Sequence, residues 1–562
     1  MGELSHLPFW TWLSTGPLYR ANFMSTSIPF DNRRAPVYGR YGMACSSTPL
    51  AAVIGRDVLQ AGGNAADAAL AMAAVVNVTE PMMSGLGGDM FAIVWKDGKA
   101  HGLNASGFSG SLMTLERVRA EHGENMPQAG AATVNVPGAL DGYLELHKQF
   151  GTMDLADLFE HAAALVDDGF PVGAKISQAW AAGAPTLRKY SPDSTAYLPG
   201  GRVPTAGSIF REQDLARVWR RIGREGRDAF YSGEVRDRIV ETVQKGGGYL
   251  QAGDFDAIQA EWVEPIRGSY RGHTVLEMPP NGQGIVALEA LAILEGYDMA
   301  AIFAADEVQA CHLILEAIKL AYADAAATVA DPRFLKAPIE DLLDPEYIKQ
   351  RRAVLDRDHA SDNPPAARVF GDTTYLTVVD RDRMAVSLIT SISAPFGSGV
   401  VVPGIGVVMN NRLADFVLVP GHPNAAAPHK QVRHTILPSM LLDASGALKM
   451  SFGCMGGNMQ PQGQTQILLN LIDRGMNLQQ ALDAPRVRFL AGRRISLERH
   501  PLPDLGKRLA AMGHEVVWDG STPASPGNIG ESFEGSAQAI MLEPESLCGA
   551  SDPRLDGIAC PL

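Results

Sequence analysis

An α+β architecture of helices layered on sheet follows from three features of the chain. Several stretches between residues 48 and 170 and between residues 282 and 331 carry helical periodicity with marked ends. Residues 373–443 run in short β-rich stretches. A further helix begins near Gln464, behind a glycine-rich turn. Helices before and after a strand-rich middle are expected to pack as layers on it.

Residues 1 to about 40 read as an irregular extension. The stretch "LPFWTWL" is apolar but short and has no basic residue before it, unlike a secretory signal. Thr48 is placed to cap a helix that Pro49 opens, with Leu50, Val53, Ile54 and Val58 on one face and Gly62-Gly63 at its end. The next helix, "NAADAALAMAAVVNV", is apolar nearly all round and therefore buried. A glycine loop, "MSGLGGD", leads into a strand that ends near Trp95. Amphipathic helices follow at "LDGYLELHKQFG", "LADLFEHAAALVDDGF", "GQGIVALEALAILEGYD" and "HLILEAIKLAYADAAATVAD". Residues 356–371 are polar with paired prolines and read as an exposed, loosely structured segment. Strands are expected at Thr373–Val379, Ala385–Ile392, Val400–Asn410 with breaks, and Ser439–Asp443.

The bulk properties narrow the function. With 562 residues, 46% of them hydrophobic, the chain is long enough for a large core. A net charge of −14 argues against non-specific binding to nucleic acid or anionic membrane. No run approaches the length of a membrane-spanning helix. Five widely spaced cysteines contain no CxxC pair, which removes zinc-knuckle and thioredoxin-type sites. Sparse cysteine leans toward a reducing compartment. The expected location is the cytoplasm, with the periplasm as the alternative.

Neither HExxH nor an EF-hand pattern is present, and no metal is expected. His422, His429 and His434 read as members of one solvated loop. The stretches "GLGGDMF" and "GCMGGN" do not match a phosphate loop, and no GxSxG elbow exists. Threonine remains. In "GDTTYLTVVDRDRMAVSLITS", Thr373 heads a strand directly after the exposed segment. A threonine whose preceding peptide bond is cut gains its own α-amino group as base. Such chemistry also needs paired backbone N–H donors for an oxyanion, which Gly456 and Gly457 are able to offer. The plainer reading is a threonine-rich hairpin edge.

The chain resembles the γ-glutamyltransferase family, whose members are N-terminal nucleophile (Ntn) hydrolases. The stretches that carry the resemblance include "AGGNAADAALA", "EPMMSGLGGDMF", "MPPNGQGIVALEALAILEGYDM", "GDTTYLTVVD", "FGSGVVVPGIGVVMNNRLADF", "MGGNMQPQGQTQILLNLID" and "GASDPR", in that order. The resemblance implies a four-layer αββα sandwich, one compact domain formed by two subunits. It implies self-cleavage between Asp372 and Thr373, giving a large subunit (41–372 beyond the extension) and a small one (373–562). Thr373 would attack a γ-glutamyl amide of the glutathione type, and the acyl-enzyme would pass to water or an amino acid. Ser391 would bond the nucleophile's amino group, and Gly456 with Gly457 would form the oxyanion hole. No cofactor is implied.

Asp415 fits the residue that pairs with the substrate's amino group. The expected pocket departs from the family at Arg412, Ser393 and Ser439, and near Ser106, where an arginine would anchor the substrate carboxylate. Arg412 is a candidate replacement for that arginine. The alternative substrate is therefore a glutaryl-type or small amide. A non-catalytic binding protein ranks behind both, because Thr373 and the Gly-Gly pair are present. The partners implied are the small-molecule substrate and the two halves of the precursor. Oligomers of that pair are left open.

Overall fold

The computed structural model describes residues 34–362, 372–518 and 535–562. In chain order the strands are β1 (Val37–Gly39), β2 (Met43–Ser46), β3 (Asp89–Lys96), β4 (Lys99–Ala105), β5 (Phe170–Pro171), β6 (Ile209–Phe210), β7 (Glu261–Val263), β8 (Ile266–Tyr270), β9 (His273–Glu277) and β10 (Asp372–Val379). They continue with β11 (Ala385–Ser393), β12 (Pro438–Leu442), β13 (Leu448–Met455), β14 (Val487–Ala491), β15 (Arg494–Leu497), β16 (Glu515–Trp518), β17 (Ser536–Leu542), β18 (Leu547–Ser551) and β19 (Ile558–Pro561).

Two seven-stranded sheets form the centre, ordered β1-β18-β17-β13-β12-β9-β8 and β19-β2-β10-β11-β3-β4-β7. Each sheet mixes strands from before and after residue 372. The sheets meet face to face through β10 and β13. The Thr377 and Ser451 hydroxyls bond at 2.7 Å, and a Cβ on Gly453 would lie 2.4 Å from the Tyr375 ring. Alternation along β13 turns Met450 and Phe452 the other way, into a core shared with the helices Ile285–Leu294 and Glu307–Thr328. Beneath β10 lie the helices α1 (Pro49–Gln60) and α2 (Ala65–Thr79). The result is the four-layer αββα sandwich.

Local chemistry explains the first helices. Thr48 caps α1 by accepting from the Ala51 N–H, and Asn64 and Asp67 form a capping box at α2. All fifteen residues of α2 are buried. Gly55 of α1 permits that packing, since a Cβ there would lie 2.2 Å from the Met72 sulfur.

Four sequence expectations change. The buried face of α1 is Ala51, Ala52, Gly55, Val58 and Leu59, while Val53 faces solvent, because small residues seat the helix on α2. Residues 400–410 form no strand but a turn closed by one Val401–Val408 bridge, because Pro403, Gly404 and Gly406 break the run. The last long helix starts earlier than Gln464, at Met459. Val37–Gly39, assigned to the irregular extension, pairs with β18. Residues 1–33 of that extension, and residues 363–371 of the polar segment, lie outside the described residues.

Glu289 is buried in the middle of the helix Ile285–Leu294, and neither carboxyl oxygen has a hydrogen-bond partner. Burial pushes its carboxyl up to about 8, against a pull from Arg351. An acid whose folded pKa is raised costs nothing below its unfolded pKa. The cost then grows until pH reaches the folded value. Glu289→Met should therefore melt close to wild type at about pH 4.5 and several degrees above it at about pH 8.5, a widening gap that thermal unfolding across pH will read.

Candidate active site

Thr373 is the second residue of β10 and is 1% exposed. Its hydroxyl lies 3.4 Å from that of Ser391 and accepts from Gln460 Nε2 at 3.3 Å. The pairing of β10 with β11 slips by one residue here: Asp372 faces Ser393, and Thr374 faces Thr390. Ser391 and Ile392 thus oppose Thr373 alone, which is a β-bulge, a device that re-aims a side chain. Ser391 Oγ accepts from the Ser393 N–H at 2.8 Å, and Ser393 has φ +84°. The bulge is pinned from outside. Ile392 N–H donates to Met83 O, Asn411 N–H donates to Ile392 O, and the Asn411 side chain accepts from Ala394 N–H.

Glycines place this bulge. A Cβ on Gly88 would lie 2.1 Å from Ser391 O, and one on Gly87 would lie 2.1 Å from Val408 O. The "GLGGD" loop is therefore a close crossing of backbones. Gly88→Ala should cost about 1–3 kcal/mol by overpacking and displace Ser391, so that denaturant melts shift and the Thr373–Ser391 pairing is lost.

The turn at Gly456-Gly457 joins β13 to the helix Met459–Ile472, with φ of +117° and +57° that favour glycine. The contacts Thr377–Ser451 and Tyr375–Gly453 step along β10 and β13 by two residues in opposite senses. One further step of the same kind would set Thr373 opposite Met455, beside that turn. Gln460 makes the same connection from the helix side: its Oε1 accepts from Leu437 N–H at 2.8 Å while Nε2 reaches Thr373. Among the described residues, neither glycine N–H donates to a backbone acceptor. A hydroxyl beside two such donors is arranged for acyl transfer.

Arg412 is fully buried and bound in a two-point grip to Asp89, at 2.8 and 3.0 Å, and donates to Thr435 Oγ1 at 3.2 Å. His434 stands 3.0 Å from the same carboxylate. The loop histidine expected to be solvated is thus 0% exposed, because it fills the space behind Asp89. Burial pushes the Asp89 carboxyl up, but Arg412 and His434 outweigh it and hold it below the usual range. Burial, and then the Arg412 charge, push His434 below the usual imidazole range, against the pull of Asp89. Asp89 lies directly across the sheet from Ser391.

Asp415 ends the same helical turn as Arg412 and is buried. Ser439 sits deeper, in the layer between the sheets. Its hydroxyl donates to Leu276 O at 3.1 Å, and its N–H to Ser387 Oγ at 3.1 Å. The structure therefore gathers Thr373, Ser391, Ser393 and the Gly456-Gly457 turn. Arg412 and Asp415 flank them, and Ser439 is turned inward. Sequence reading passed over Gln460, Asp89, Asn411 and Glu80. All four stand inside stretches that carried the resemblance, but no spacing rule marks a lone amide or a lone carboxylate.

Among the described residues, one group has the composition of a metal site: His312, Glu316 and His514, all buried. The imidazoles bond one another at 2.9 Å, and Lys319 ion-pairs with Glu316 at 2.7 Å. An ammonium already neutralises the carboxylate, so the donor set does not fit a further cation.

The gamma-glutamyltranspeptidase family model matches residues 51–562. The chain belongs to the gamma-glutamyltranspeptidase family. It is 35% identical to the glutathione hydrolase-like YwrD proenzyme of Bacillus subtilis (strain 168), over 93% of this chain and 99% of that one. It is 35% identical to the oxamate amidohydrolase proenzyme of Klebsiella pneumoniae, over 92% of this chain and 98% of that one. The crystal structure of cephalosporin acylase from Bacillus halodurans superposes with a TM-score of 0.87 at 38% identity, covering 96% of this chain and 99% of that one. As a gamma-glutamyltranspeptidase-family protein the chain is an Ntn hydrolase, of a kind made as a proenzyme.

Proposed function

We propose that the chain cuts itself between Asp372 and Thr373 and then hydrolyses amides through an acyl-enzyme on Thr373. The α-amino group set free takes the hydroxyl proton, and the Gly456 and Gly457 N–H groups receive the oxyanion. Support comes from the Thr373 hydroxyl, held between Ser391 and Gln460 beside that turn.

The acyl group this pocket suits best is one without the glutamyl head group, as in a glutaryl-type or small amide. The observation that carries this is the two-point grip of Asp89 on Arg412. Arg412, the candidate cation for a substrate α-carboxylate, is already neutralised, and Ser106 lies near the place where the resemblance puts the family's arginine. The γ-glutamyl reading keeps one observation of its own: Asp415 lies in the turn that borders the site, suited to a substrate amino group. A panel of γ-glutamyl, glutaryl and short-acyl anilides, assayed with processed protein, separates the two. A non-glutamyl anilide should show kcat/KM at least about tenfold above the γ-glutamyl compound, a difference of about 1.4 kcal/mol. The reverse order would return the protein to glutathione-type substrates.

A further inference from the structure

Glu80 follows the last residue of α2 and is 0% exposed. One carboxyl oxygen accepts from the Thr374 hydroxyl at 2.5 Å, and the other from the Ser47 hydroxyl at 2.7 Å. Ser84 Oγ stands 3.4 Å from the same Thr374 hydroxyl. The turn that Glu80 opens also grips the other side of the site, where Met83 O accepts from Ile392 N–H at 3.0 Å. A carboxyl group is thus built into the sheet one residue from Thr373. Successive side chains point to opposite faces of a strand, so Glu80 lies across β10 from the Thr373 hydroxyl. The Thr373 nitrogen belongs to the backbone, which both faces share.

We propose that Glu80 is the counter-charge of the mature amino terminus, holding a proton on the Thr373 amine and setting the pH at which that amine becomes a base. The inference rests on the threonine reading above. In the uncut chain the Thr373 nitrogen is a neutral amide. Cutting turns it into an amine that is buried and able to charge. A carboxylate close by favours the charged form.

Among the described side chains, the other ionisable groups on the elements packed around β10 are remote or engaged; that of Asp372, on the leaving side of the cut, lies outside them. Asp67, at the far end of α2, bonds Thr152. Lys449 of β13 reaches toward Leu542 and Glu543. Burial pushes up the thiols of Cys45 on β2 and Cys454 on β13, and the Tyr375 hydroxyl on β10 itself. Asp89 of β3 is tied to Arg412 and His434. The strands β11 and β17 and the helix Met459–Ile472 carry none. Glu80 is a positioning residue in this scheme, since it touches Thr374 and not the substrate.

The test begins with the intact mass of wild type. A single uncut chain overturns the threonine reading and this inference with it. Once wild type is cut, kcat/KM for the best anilide is followed over about pH 5.5–9.5, where its acid limb reports the free enzyme's base. In Glu80→Gln the limb should move to lower pH by about one unit, because the amine loses its counter-charge. An unmoved limb, at any plateau, overturns the Glu80 role and leaves Thr373 standing. Wild type alone supplies a second measurement, which does not require the variant to mature. Cyanate carbamylation of the Thr373 amine, read by peptide mass, should reach half its limiting rate above the roughly 7.7–8.0 of a free α-amine. A midpoint at or below that range overturns the proposal.

Discussion

Freshly purified wild type, denatured and weighed, should resolve into chains of roughly 40 and 20 kDa, the 60.0 kDa total divided as 372 to 190 residues (562 less 372). Thr373→Ala should stay whole and lose hydrolysis by a factor of at least about 10⁴. The size of the effect has a physical source. On the proposed mechanism the substitution removes the attacking oxygen of both reactions, the cut and the turnover, and Ser391 is not placed to stand in. Ser391 is 3.4 Å away but lies inside a strand, with no amine of its own to serve as base. Thr373→Ser keeps an oxygen and should mature and turn over more slowly than wild type. A cut Thr373→Ala chain, or an uncut wild type, would mean that another group does the chemistry.

Asp89→Asn should be the most damaging substitution outside the reacting groups. It leaves the Arg412 guanidinium buried without its counter-charge, a loss of about 3–5 kcal/mol. Denaturant unfolding is best compared in the Thr373→Ala background, so that maturation does not confuse the melts. The double change Asp89→Leu with Arg412→Met should recover most of the loss, because two apolar groups of similar volume need no pairing. The arrangement is also acid-sensitive. The Asp89 pKa is depressed in the folded state, so its contribution is present above the unfolded value near 3.9 and fades as pH falls through the folded one. A single variant within about 1 kcal/mol of its background would show that the pair contributes little.

The same pair shows where sequence reading stopped. Arg412 was legible as unusual, yet its partner is 323 residues away, and no local pattern announces it. His434 looked like a loop histidine for the same reason. Local chemistry was legible where it is self-contained: Thr48 and Asn64 mark the starts of α1 and α2, and the hairpin of β10 and β11 falls where the β-rich runs lie. The strands β13 and β17 went unread because both their faces are covered. "LKMSFGCM" and "SAQAIML" sit between layers, so no polar face repeats along them. Residues 400–410 were overread because β-branched residues there serve a turn. The Thr373 hydroxyl was legible from its place at the head of a strand. Its neighbours Gln460 and Glu80 were not, since each reaches it through the fold.

The two sheets hold one last consequence. In each, strands from before residue 372 pair with strands from after it: β2 lies between β19 and β10, β3 pairs with β11, and β9 pairs with β12. A cut at the head of β10 would therefore be a nick without a seam. The fragments would be joined by ladders in both sheets and could not trade places with those of another molecule unless both sheets came apart. Mature molecules mixed in one tube would keep their original halves, so a damaged half could be discarded only with its mate.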